Sequence, residues 1–240
     1  GSTRRLAELA SEVVTEAARE RRPREQIELL GDSFDVSVLR AALMAVIEGT
    51  PSSGDADFTN AVDRYVRELF KACFRDVRER SAMFDQYRPA SGIAIYATGG
   101  CGRSEAFIGD WDYLAVMAHE DRGMEKFFGK VLQRVTGAMT RRGLLPHNRF
   151  TTHFNAYLVS VAKLRDYVLA RKAETFIDEA EILEARFFFG DPLVARAFND
   201  EIRSLVVETH ATAFIRDILA ELANRRTAAP LGLNLKLGNG

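Results

Sequence analysis

Two short apolar runs narrow the fold of this chain more than any other feature: Ile93–Ala97 and residues 113–117, set in a sequence otherwise patterned for helices. The first is bounded by Gly92 and by the pair Gly99 and Gly100, which suits a buried strand. Residues 150–161 are rich in threonine, aromatics and valine and predict a third strand.

Around these runs the spacing is helical. Leu6, Leu9, Val13 and Ala17 form one stripe, broken at Arg21-Arg22-Pro23. Val38, Leu39, Ala42, Leu43, Val46 and Ile47 form a second, which stops at Gly49, and residues 51–57 read as a small polar linker. Phe58, Val62, Tyr65, Leu69, Cys73 and Val77 then make one long stripe. Between Asp121 and Gly143 another stripe runs through Met124, Phe127, Val131 and Val135, closed by Arg141-Arg142-Gly143. Residues 164–226 are helical again, Glu184 and Arg186 included, with a break at Gly190-Asp191-Pro192. The expected class is α+β: a small mixed β-sheet core over residues 89–165, between an N-terminal helical arm over 3–88 and a C-terminal helical region over 166–240. Isolated helices of this length are marginal, so the arm is expected to fold against the core.

Lysine plus arginine (33) nearly equals aspartate plus glutamate (34), which gives no electrostatic ground for tight non-specific binding of nucleic acid. Cys73 and Cys101 lie far apart and read as reduced thiols of a cytoplasmic protein. The apolar stretches fall short of a membrane span. Gly1-Ser2 reads as a tag scar, and the chain is expected to be a fragment of a longer protein.

The chemistry concentrates in Thr98-Gly-Gly-Cys-Gly-Arg-Ser-Glu105 and Gly109-Asp-Trp-Asp112. On an extended segment Asp110 and Asp112 point to one face, about 7 Å apart along the chain, and Trp111 between them points the other way. Paired carboxylates are suited to divalent cations that stabilise entering and leaving oxygens in phosphoryl transfer, and magnesium is the natural ion. Gly99, Gly100 and Gly102 let backbone amides approach a phosphate, with a hydroxyl from Ser104 and a charge from Arg103. Glu105 has helix capping as a rival role. Neither a P-loop nor a dinucleotide fingerprint is present.

This order of strand, glycine turn and Asp-X-Asp resembles the DNA-polymerase-beta-type nucleotidyltransferases, closest to the PII uridylyltransferase and glutamine synthetase adenylyltransferase group. That group's Gly-Gly-Tyr-Gly-Arg-Gly-Glu signature, followed by Ser-Asp-X-Asp-Leu, stands here as Gly99-Gly-Cys-Gly-Arg-Ser-Glu105 and Gly109-Asp-Trp-Asp-Tyr113. Ile182-Leu-Glu-Ala-Arg-Phe-Phe-Phe-Gly-Asp191 and Asn234-Leu-Lys-Leu-Gly-Asn-Gly240 resemble two later segments of the group, so the likeness covers about residues 90–240. The resemblance implies a nucleotidyltransferase core and transfer of a nucleoside monophosphate from a nucleoside triphosphate to a protein or small-molecule hydroxyl. It implies Mg2+ or Mn2+ on Asp110 and Asp112, and a nucleotide held by Gly99, Gly100, Gly102, Arg103, Ser104 and Lys236.

The departures are Cys101 for an aromatic, Ser104 for a glycine and Gly109 for a serine. The superfamily often adds a third carboxylate from a later strand, yet residues 150–161 contain no acid. Either the third ligand comes from elsewhere, with Glu184 a candidate, or one metal binds weakly, or catalysis is lost. The rival function is a non-catalytic nucleotide-sensing or protein-interaction module of a larger regulatory protein. His147 and His153 read as structural, and His119 and His210 as ordinary surface or core positions.

Overall fold

The computed structural model describes residues 22–48, 51–88, 91–105, 109–171 and 175–228. The stripe from Leu6 to Ala17 and Lys236 lie outside them. The fold is α+β, a small mixed sheet surrounded by helices. Helix α1 is Pro23–Glu48 and α2 is Pro51–Glu79. Strand β1 is Ile93–Ala97, followed by a single helical turn, α3 (Gly99–Gly102), and by β2, Asp110–Met117. Then come α4 (Arg122–Thr140), β3 (Leu145–His147), α5 (Phe150–Phe154) and β4 (Val159–Ser160). The chain continues through α6 (Val161–Ala170), α7 (Thr175–Glu184), β5 (Arg186–Gly190) and α8 (Pro192–Phe198). After two widened helical turns the described residues close with α9, Ala211–Ala228.

The sheet runs β3-β2-β1-β5, with β4 also against β2. β1 lies antiparallel to both neighbours, whereas β3 and β4 run parallel to β2. All of β1 is buried, as an apolar strand covered on both faces must be. One face packs on α1, α2 and α4, where Phe70, Phe74, Trp111, Phe127 and Phe128 form an aromatic centre. The other carries Tyr96, Leu114 and Val116 against α6 and α8 through Leu164, Val168, Val194 and Phe198. Every member of the Phe58–Val77 stripe is buried. Asp121 caps α4, its side chain accepting from the amides of Gly123 and Met124.

Four sequence expectations change. Residues 51–57 are the first turns of α2 rather than a linker, with Pro51 at a position where proline is tolerated because its missing N–H has no helical partner. In α1 the buried side is Ile27, Leu30 and Phe34, while Leu39, Leu43, Val46 and Ile47 are exposed. Residues 150–161 are not one strand: Phe150–Phe154 is helical, left-handed Asn155 stops it (φ 48°), and only Val159–Ser160 pairs with β2. Packing of Phe150 and Phe154 on Tyr167 overrides their strand preference. Finally, Arg186 opens strand β5 instead of lying in a helix, and α7 ends at Glu184.

Candidate functional site

β1 delivers the chain into the glycine turn at Thr98, whose amide donates to the carbonyl of Asp112 (3.0 Å). The turn then closes on itself. The amides of Gly102, Arg103 and Glu105 donate to the carbonyls of Thr98, Gly99 and Gly100 at 2.9, 3.2 and 2.7 Å. Those of Gly99, Gly100 and Cys101 donate to no described residue, as expected for the first N–H groups of a helical turn.

Each glycine answers a different constraint. Gly99 has φ +55°, a conformation that L side chains rarely adopt, and a Cβ there would stand 2.8 Å from Oδ2 of Asp112. The first residue of the turn thus lies directly against the Asp112 carboxylate. At Gly100 a Cβ would meet the Glu105 carbonyl oxygen at 3.0 Å. Gly102 is a packing glycine, since a Cβ would come within 2.6 Å of the Glu184 carbonyl oxygen.

Along β2 the pattern is exposed Asp110, buried Trp111 and half-buried Asp112, so the two aspartates share the face that Trp111 leaves. Trp111 stacks on Tyr113 in the core. β3 lies beside them in parallel register, with Leu145 opposite Asp110 and His147 opposite Asp112. Nδ1 of His147 is 3.3 Å from Oδ1 of Asp112.

The segment where α7 passes into β5 braces the turn. Arg186 makes a two-pronged pair with Asp63 of α2 (2.7 and 3.1 Å) and donates to the carbonyl of Cys101 (2.9 Å). Arg103 is held by Glu105 (2.9 Å) and Glu184 (2.7 Å). Glu184 therefore anchors Arg103, and Glu105 pairs with it too. Ser104 is exposed at φ 63°, and its carbonyl accepts from the Thr59 hydroxyl (3.1 Å). Burial pushes the Cys101 thiol up to about 11, which suits a packing residue rather than a nucleophile.

Two groups stand out here: His147, which the sequence reads as structural, and Glu181, which the sequence does not single out. His147 faces Asp112 across the β2–β3 pair. Glu181, half-buried on α7, is pushed up to about 7, first by burial and next by the charge of Asp112, with Arg149 pulling the other way. Glu181 receives no hydrogen bond from a described residue. Neither placement has a local sequence signal, because both depend on how distant segments meet.

Among the described residues no three His, Cys, Asp or Glu side chains are gathered as a ready-made metal cage. The donor chemistry fits a divalent cation that arrives with phosphates, since such ions are commonly held by one or two carboxylates plus substrate oxygens and water. Asp110 and Asp112 would hold it. Comparison with known protein families and with characterised proteins found no match to this chain.

Proposed function

We propose that the chain is a metal-dependent nucleotidyltransferase, moving a nucleoside monophosphate from a nucleoside triphosphate to a hydroxyl of a protein or small molecule. The observation that carries this reading is the Asp112 carboxylate set against Gly99, at the mouth of a turn whose first three amides have no described acceptor. Those amides are suited to phosphate oxygens, and the acids to the cation that accompanies them. The segments 99–105 and 184–186, far apart in sequence, also meet here through Arg103, Gly102 and Arg186.

Asp110 and Asp112 would hold a divalent ion, which would supply neutralisation of charge on the triphosphate and on the departing pyrophosphate. The protein's own part is placement. The amides of Gly99, Gly100 and Cys101 orient the phosphates, and Arg186 keeps the turn fixed against α2. The acceptor oxygen attacks the α-phosphorus in line; its bond to phosphorus forms as the bond to the β-phosphate bridging oxygen breaks, and its proton passes to solvent. The cytoplasmic location belongs to this proposal, as do the nucleotide-binding roles of Ser104 and of Lys236. Incubation with each labelled triphosphate, Mg2+ or Mn2+ and cell extract tests it: label transferred by the wild type and not by Asp112→Asn is the expected result.

Two observations favour the second reading, a nucleotide-sensing module without transfer. β3, the strand beside the aspartates, carries no acid, and Arg103 is occupied by two carboxylates. Metal-dependent binding of a triphosphate without label transfer in any extract supports that alternative.

A further inference from the structure

β3 places an imidazole beside Asp112, the aspartate proposed above to hold the metal. Parallel pairing sets His147 opposite Asp112, and the side chains reach each other, Nδ1 to Oδ1, at 3.3 Å. The His147 side chain is 66% exposed, so solvent reaches it and no buried partner fixes it elsewhere. The other described histidines near acids differ: His153 sits on buried Asp178, and His210 on buried Glu179.

We propose that His147 is a direct ligand of the metal held by Asp112, and that it makes the site select a first-row transition ion such as Mn2+ over Mg2+. This rests on the function proposed above and deepens it. In an octahedral shell with ligands near 2.1 Å, two adjacent donor atoms stand about 3 Å apart, so the observed 3.3 Å needs little change to seat both on one ion. Imidazole nitrogen suits transition ions, whereas magnesium prefers an all-oxygen shell. The rival role for His147 is to orient Asp112 by a hydrogen bond without touching the metal.

The test uses the full chain with a non-hydrolysable nucleoside triphosphate analogue, titrated with Mn2+ and with Mg2+, and pulsed electron paramagnetic resonance of the bound Mn2+. The expected wild-type result is coupling to a directly bound imidazole nitrogen and a Mn2+ preference over Mg2+. His147→Ala should lose that coupling and weaken Mn2+ binding about tenfold or more. His147→Asp should lose it while narrowing the preference for Mn2+. The histidine is exposed, so both variants should keep the wild-type circular dichroism spectrum and melting temperature. Mn2+ bound through Asp112 without nitrogen coupling, or coupling that survives in His147→Ala, overturns this inference and leaves the proposed function standing. No metal bound by the wild type even with the triphosphate overturns both.

Discussion

Helix α7 carries acids to two different settings. Asp178 and Glu179 are buried and fully answered: Asp178 meets Arg149, His153 and Tyr167, and Glu179 meets Arg171 and His210. Arg171 reaches on to Asp217 of α9 (2.8 Å), so this network fastens α9. Glu181 shares the charge of Arg149 with Asp178 but is not bonded to it. It receives no hydrogen bond from a described residue, and its strongest charged neighbour is another acid, Asp112. Buried carboxylates persist when cations and donors satisfy them. The first pair is satisfied from within the fold and holds it together. On the proposed function, the second group is satisfied from outside, by a cation bound with the substrate.

The largest effect expected from breaking this contrast is chemical. Asp112→Asn removes a charge and keeps the shape, and should lower label transfer by about a thousandfold or more, since a catalytic metal supplies several kcal/mol. Unchanged transfer would place the chemistry elsewhere. On the structural side, Asp178→Ala leaves Arg149 and Tyr167 without their buried acceptor. It should cost about 1.5–3 kcal/mol in denaturant unfolding, the worth of hydrogen bonds to a charged group, since the Arg149 side chain is 31% exposed and keeps water. A loss below about 1 kcal/mol would mean that the network is dispensable.

A smaller effect sharpens the boundary between the two roles. Gly99→Ala forces a Cβ into a left-handed residue at a cost of about 1–2 kcal/mol, and directs it at the Asp112 carboxylate. Triphosphate binding should weaken by about tenfold, roughly 1.4 kcal/mol, while Gly143→Ala, also at positive φ but with open space around it, should strain the fold and leave binding alone. Equal binding losses in both variants would show that backbone strain, not the approach to Asp112, is what matters.

The legible parts of this molecule are those whose signal is local. The α2 stripe, β1, β2 and the Asp121-capped α4 each announce themselves within a dozen or two residues. So do the glycine turn and the alternation of Asp110, Trp111 and Asp112. β5 was hidden because Ala185 alone separates it from α7, and the unbroken run Phe187, Phe188 and Phe189 has no period to separate strand from helix. β3 is three residues long and contains Pro146, which lowers any strand expectation even though an edge position tolerates it. With β3 unseen, His147 had no visible partner. The exposed side of α1 failed differently: its apolar spacing is helical on both sides, and periodicity does not say which side the core takes.

The finest test of the contrast is the titration of Glu181. Its carboxyl moves from an ordinary value of 4.5 to about 7 in the folded protein, through burial first and the Asp112 charge second. Below pH 4.5 it is protonated in both states and contributes no pH dependence. Between 4.5 and 7 the unfolded chain releases the proton and the folded one retains it, so this group's contribution to stability falls as pH rises, then levels off above 7. Glu181→Gln removes that fall. The variant should match the wild type near pH 4, gain on it steadily to pH 7, and hold a constant advantage beyond, measured by denaturant midpoints across the range. Saturating Mn2+ with a non-hydrolysable triphosphate should shift the Glu181-dependent fall to lower pH, as a cation beside Asp112 offsets the repulsion. Parallel stability curves for wild type and Glu181→Gln from pH 4 to 8 would remove Glu181 from the Asp112 group.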